Sequence, residues 1–226
     1  MRTLITTEDG SHSIYVPELN EHYHSTFGAI QESNHVFIEY GLKEILKSKT
    51  SIRVFEMGLG TGLNVFLTLL YAIDHPIAIR YTAIEAYPLE PEILKRLNYI
   101  KMIKKGTLEN DFVTIHSSPW EEWNRLYEKF FFKKHQTSLL DYQSIEKFDL
   151  VYFDAFAPDV QPELWTREVF EKIFDSMDYD GILVTYCCKG EVKRNLKSVG
   201  FSLEKLPGPP GKREILRARK NQVKTI

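Results

Sequence analysis

The residues best able to do chemistry surround three alternating glycines in Val54-Phe55-Glu56-Met57-Gly58-Leu59-Gly60-Thr61-Gly62-Leu63-Asn64. A β-branched and aromatic run ends at Gly58, and an apolar helical pattern, Val65 to Ala72, begins just after Asn64. That order implies strand, tight turn and helix. Glycine permits positive φ and close approach of backbone to a ligand, and the helix start presents free N–H groups and the positive end of its dipole. The chemistry implied is the cradling of a nucleotide-type cofactor; the alternative is a glycine-rich turn that holds nothing. A dinucleotide fingerprint needs Gly-x-Gly-x-x-Gly/Ala, and counting from Gly58 and Gly60 the third site falls on Leu63, which disfavours a nicotinamide oxidoreductase.

Glu56 to Gly62 instead resembles motif I of class I S-adenosylmethionine-dependent methyltransferases, a loop that lies under the methionine and ribose of the cofactor. Glu85 closes the next predicted strand, where a carboxylate can accept hydrogen bonds from both ribose hydroxyls; a solvated strand-end acid is the alternative. Methyltransferases often carry an acid for adenine after the third strand. Here Phe112 to His116 is the expected third strand, and His116-Ser117-Ser118-Pro119-Trp120 offers no acid, leaving backbone and a Trp120 wall. Asp154-Ala155-Phe156-Ala157-Pro158 follows the fourth strand, where amino methyltransferases hold the target nitrogen. An alkylammonium has a pKa of about 10, and a lone carboxylate raises it further, so Asp154 could orient the amine and take its proton only with help from another group. A loop-capping aspartate is the alternative.

These groups need a scaffold, and the chain supplies one. Its 226 residues suit one α/β unit, with a net charge of −2 and 27% charged residues, a balance without the signature of a nucleic-acid binder or a membrane protein. With no apolar leader and only short apolar runs, a cytoplasmic protein is expected. Cys187 and Cys188 are adjacent in an apolar strand and read as reduced core thiols. Segments 4–7 and 13–16 flank Asp9-Gly10 and predict a hairpin; a helix is expected from Ser33 to about Lys47. Strand 78–86, helix 92–103, strand 112–116, a helical region through Trp120, Trp123, Leu126, Tyr127 and Phe130, and a loop or lid over 133–144 come next. Strand 148–154, helix 164–177, strand 181–187, helix 191–199 and a closing antiparallel pair, 201–206 with 215–218, complete the pattern. Alternating strands and helices imply a parallel sheet covered on both faces, with ligands beyond the carboxyl ends of its strands, where Glu56, Gly58, Glu85, His116 and Asp154 could meet.

Further motifs occur in one order: Tyr23-His24-Ser25, Gly28-Ala29, Glu32-Ser33, Glu56 through Asn64, Asp154 through Pro158, Pro162-x-Leu-Trp165, Thr185-Tyr186 and Gly208-Pro-Pro-Gly-Lys-Arg-Glu214. Together they resemble the methyltransferase domain of the MnmC family, tRNA 5-methylaminomethyl-2-thiouridine biosynthesis proteins, and its stand-alone relatives. The resemblance implies a Rossmann-like class I fold with a mostly parallel sheet, an antiparallel closing strand and an N-terminal hairpin and helix addition over residues 1–50, the methyltransferase domain spanning 51–226. It implies methyl transfer from S-adenosyl-L-methionine to the 5-aminomethyl group of (2-thio)uridine at the tRNA wobble position. Glu56, Gly58, Gly60, Gly62, Asn64 and Glu85 would hold cofactor and Asp154 the amine; His24, Phe156, Pro158, Lys212 and Arg213 would serve the substrate. Longer family members carry a flavin-dependent oxidase domain, so a chain ending at Ile226 is expected to rely on a separate oxidase. The basic run Lys205, Lys212, Arg213, Arg217, Arg219, Lys220, Lys224, extended by Lys189, Lys193 and Arg194, is expected to meet phosphates; a solvated face is the alternative. Phe156, Trp165 or Tyr186 could stack on a splayed-out base, although each residue type is more often core. His22, His24 and His35 lack a convincing metal-ligand set, and no metal is expected. Two rivals remain: a methyltransferase of another amine, and a non-catalytic partner that binds S-adenosylmethionine or tRNA beside an oxidase.

Overall fold

The computed structural model describes residues 2–104 and 106–222. The chain opens with a small antiparallel sheet, β1 (Thr3–Thr6), β2 (His12–Val16) and β3 (Glu21–His22), turned at Asp9-Gly10 as the dipeptide predicts. A helical segment follows, α1 (Ala29–Ser33), a π-helical stretch (Asn34–Leu42) and α2 (Lys43–Ile45), starting four residues earlier than expected. The wide π turn places Gly41 where an added Cβ would lie 2.9 Å from a Val184 methyl and 3.3 Å from the Tyr152 ring, so only a bare backbone fits against the sheet.

The main sheet holds eight strands in the order β10-β11-β9-β8-β4-β5-β7-β6. They are β4 (Ser51–Met57), β5 (Ala78–Ile84), β6 (Asn124–Tyr127), β7 (Phe130–His135), β8 (Phe148–Phe153), β9 (Met177–Thr185), β10 (Ser202–Pro207) and β11 (Glu214–Arg219). β9, β8, β4, β5 and β7 run parallel, and β6, β10 and β11 close the two edges antiparallel. The helices are α3 (Leu63–Asp74), α4 (Pro91–Leu94), α5 (Tyr99–Ile103), α6 (Glu109–Ser117), α7 (Arg167–Ser176) and α8 (Gly190–Ser198). Alternate residues of each central strand serve different layers. Val54, Tyr81 and Tyr152 pack under the N-terminal helical segment, α3 and α6; Phe55, Val151 and Phe153 pack under α7 and α8. Strand order reverses between β4 and β8, the switch point at which such sheets bind ligands. No helix among the described residues is long and apolar enough to cross a membrane.

Three expectations fail. The segment 112–116 is helix, not strand: Phe112 and Ile115, three apart, both turn inward, and Phe112 meets Phe66 of α3 at 5.2 Å between ring centroids. The region read as helical through Phe130 is the hairpin β6–β7, and β7 also takes the first residues of the expected lid. The cause is Lys134, an inward β7 position that breaks the apolar alternation; its ammonium donates to the carbonyls of Ile115 and His116 and caps the carboxyl end of α6. Helix 92–103 is two short helices, broken where Asn98 holds the N-terminal hairpin through His12 N and Gly10 O.

Phe37, 2% exposed and 5.0 Å from the Tyr152 ring, anchors the N-terminal helical segment to the sheet. Phe37→Ala is expected to lower unfolding free energy by about 3–5 kcal/mol, read by urea denaturation.

Candidate active site

At the carboxyl end of β4 the chain turns through Gly58, Gly60 and Gly62 with φ of 89°, 49° and 71°, the left-handed region that admits glycine cheaply. The turn is tied to its neighbour, since the amides of Gly58 and Leu59 both donate to the carbonyl of Ile84, and that of Gly60 donates to Glu85 Oε2 at 2.9 Å. Glu85 Oε1 accepts from the Tyr87 amide at 2.8 Å. One carboxylate therefore orders the loops after β4 and β5 while its remaining lone pairs face the space between them.

That space is a cavity of about 810 Å³, a size that suits a nucleoside cofactor together with part of a second substrate. Gly58, Gly60, Asn64, Glu85, Asp154, Phe156, His24 and Lys212 line it, so the sequence-derived candidates largely converge. Glu56, Gly62, Pro158 and Arg213 do not line it. Glu56 is wholly buried beneath Asn64, and Gly62 backs onto His116, whose Nε2 a Cβ would meet at 2.8 Å. Arg213 is exposed outside the cavity.

His116 and Trp120 do not wall the cavity, because His116 belongs to α6. It props the glycine turn from behind through Thr61 O at 3.1 Å, and burial pushes its pKa down to about 4. The true third parallel strand is β7, and the residues after it, Thr137, Ser138, Leu139 and Leu140, complete the lining. Sequence reading missed them with the strand. Tyr23, which the sequence marks only as part of a motif, also lines the cavity; its ring lies 3.1 Å from where a Gly60 Cβ would stand and meets Phe156 edge-on at 5.2 Å.

Asp154 lies deep in the cavity. Its Oδ2 accepts from Asn64 Nδ2 at 3.0 Å, and burial, reinforced by the charge of Glu32 and opposed by Asn64 and Lys212, raises its pKa to about 7. Its loop is fixed from below: Trp165 Nε1 donates to Phe156 O at 2.8 Å and Tyr186 Oη to Ala155 O at 2.8 Å. Trp165 is thus core, 3% exposed, and not a base platform. Lys212 reaches into the cavity, pairs with Glu32 and places its ammonium 3.9 Å from the Tyr186 ring centroid. His24 is buried, shares Ser13 Oγ at 3.4 Å, and has a pKa pushed down to about 4 by burial.

The basic C-terminal run is largely occupied internally. Arg217 pairs with Glu204 and Glu44, Arg219 with Glu44, Lys205 with Glu214, and Lys220 caps α7 through the carbonyls of Phe174 and Met177. Lys189 pairs with Asp159. Lys224 lies outside the described residues.

Residues 125–221 match the sequence model of a family of S-adenosyl-L-methionine-dependent methyltransferases. The chain is 28% identical, over 95% of its length, to the tRNA 5-methylaminomethyl-2-thiouridine biosynthesis bifunctional protein MnmC of Burkholderia multivorans and to that of Burkholderia thailandensis. It spans 34% of each, about a third of the curated relatives' length. The solved structure of MNMC2 from Aquifex aeolicus superposes with a TM-score of 0.76 at 24% identity, over 99% of this chain and 71% of that one. Spermidine synthase from Thermotoga maritima superposes at 0.55 with 11% identity, over 100% and 81%. The fold is that of the class I methyltransferases.

The residues present fit the matched family's cofactor, S-adenosyl-L-methionine: a glycine turn so close to the cavity-lining Tyr23 that a Cβ at Gly60 would press on its ring at 3.1 Å, and a carboxylate after β5 that lines the same cavity. Gly60→Ala is expected to weaken S-adenosylmethionine binding tenfold or more by calorimetry, about 1.4 kcal/mol, while far-UV circular dichroism stays native.

Proposed function

We propose that this chain transfers the methyl group of S-adenosylmethionine to the primary amine of a 5-aminomethyl(-2-thio)uridine at the wobble position of tRNA, in the cytoplasm. The observation that carries the reading is Asp154, set deep in the cavity that the glycine cradle and Glu85 also line. The relatives' printed names supply the acceptor. Residues 1–50 act in this reading as an extension that walls the cavity, and residues 51–226 as the methyltransferase domain.

The cofactor supplies an activated methyl on a sulfonium. The chain's own residues must align the amine and remove its proton. An ammonium with a pKa of about 10 is a weak acid toward a carboxylate, and a second positive charge close by weakens its hold on the proton. Lys212 lines the same cavity, but its pairing with Glu32 offsets that charge, and desolvation of the bound amine, which disfavours its charged form, supplies the help that Asp154 alone leaves open. Asp154, raised to about 7 by burial, is a stronger base than an ordinary aspartate and can accept the proton near neutral pH. Gly58, Gly60 and Glu85 would hold the cofactor, with Thr137 and Ser138 as polar groups on the adenine side. Phe156 and Tyr23 give the incoming base apolar surface. His24 shapes the wall, while Arg213, Lys193 and Arg194 are left to meet phosphates.

The test is transfer from labelled S-adenosylmethionine to tRNA carrying the unmethylated aminomethyl uridine. Native protein should turn over, and Asp154→Asn should lose about 100-fold or more in kcat. Native kcat should rise as pH passes through about 7, where the Asp154 carboxylate accumulates, and the variant should lack that limb. Native protein that binds the cofactor but methylates no such tRNA would overturn the reading.

A further inference from the structure

Beneath the cavity is a buried polar cluster that the proposed transfer leaves unexplained. Glu56 is 0% exposed on the central strand β4, paired in register with Ala83 and Tyr152 and turned into the apolar layer under α3. Neither of its oxygens has a partner in hydrogen-bonding geometry, and the same holds for Asn64 Oδ1 and the Tyr81 hydroxyl. Asn64 and Tyr81 are the side chains close enough to Glu56 to exchange a hydrogen bond with it. Asn64 is otherwise committed, its Nδ2 donating to Asp154. An ionised carboxylate could accept from Tyr81 but could offer nothing to the unpartnered Asn64 Oδ1, and a buried polar atom left without a partner in an apolar layer is costly. One proton on Glu56 would give these four atoms partners, its hydroxyl able to donate to Asn64 Oδ1 and its carbonyl to accept from Tyr81.

We propose that Glu56 and Asn64 are positioning residues, a neutral carboxylic acid fixing the Asn64 amide so that Nδ2 points at Asp154 and holds that carboxyl in its place at the cavity floor. Glu56 is thereby reassigned from the cofactor to the proton acceptor. This deepens the proposed transfer and rests on it. Burial holds the Glu56 pKa well above the usual range; Asn64 and Tyr81, whose donors favour the charged form, oppose that rise without reversing it, the charges of Asp154 and Glu85 reinforce it, and Tyr152 is its other titratable neighbour. Asp154 in turn faces Glu32, Lys212 and Tyr186.

Infrared difference spectroscopy on carboxyl-labelled protein decides the first half without substrate. A protonated-carboxyl band at neutral pH that disappears in Glu56→Gln supports the proposal; its absence from native protein overturns it, whatever the enzyme's acceptor. Kinetics decide the second half. Glu56→Leu should lower kcat at least 30-fold with S-adenosylmethionine affinity by calorimetry within threefold of native. Glu56→Gln, whose amide can donate to Asn64 Oδ1 as the acid does, should restore kcat to within about fivefold. Asn64→Leu should move the pH limb of kcat upward by about one unit, because Asp154 loses a donor that favours its charged form. Failure of Gln to rescue, or cofactor affinity that falls in step with kcat, would overturn the positioning role. Should Glu56→Leu not fold, the spectrum and the Gln and Asn64 variants still decide.

Discussion

The site depends on close backbone approach at the carboxyl end of β4. A Cβ on Gly58 would lie 3.2 Å from the Asp154 carbonyl oxygen, while the Gly58 and Leu59 amides reach across to Ile84 on the other side. The neighbours of β4 on its two sides, β5 and β8, are each followed by a cavity-lining carboxylate, Glu85 and Asp154. Substituted side chains there would push the three strand ends apart and separate Glu85 from Asp154. The glycine turn is therefore the spacer that sets the distance between Glu85 and Asp154 across the cavity.

Around that turn the chain manages an excess of acid. Glu32, Asp154 and Glu85 line one cavity with Glu56 buried below, and repulsion among them in a poorly solvated space must be relieved. Three devices do so. Lys212 pairs with Glu32, backbone amides hold Glu85, and protonation removes charge from Glu56. Lys212 reaches the cavity because the β10–β11 loop folds over the N-terminal segment, with Gly211 against Phe27 and His35 bonded to Pro207 O at 2.8 Å. The N-terminal segment and the β10–β11 loop thus border the same mouth.

Much of this was legible in residue order. The glycine spacing, the strand-end carboxylates Glu85 and Asp154, the opening hairpin and the antiparallel closing pair all depend on local rules of turn chemistry and period, and the structure reproduces them. The third strand was not legible. Residues 112–116 satisfy both a two-residue and a helical period, and Phe130-Phe131-Phe132 carries no alternation in polarity; burial of Phe130 and Phe132 with Phe131 exposed exists only once β5 is alongside.

The sequence by itself determined the fold class and which residue types could do chemistry, because both follow from neighbours a few positions apart. Only the tertiary structure decided what each charged group does. Lys212 and Arg217 read alike in a basic run, yet one enters the cavity and the other bridges Glu204 and Glu44. Glu56 and Glu85 both end apolar runs, yet one is buried beneath the site and the other faces into it. A charge takes its role from the groups that surround it in space, and those come from strands and loops up to 180 residues away in the chain.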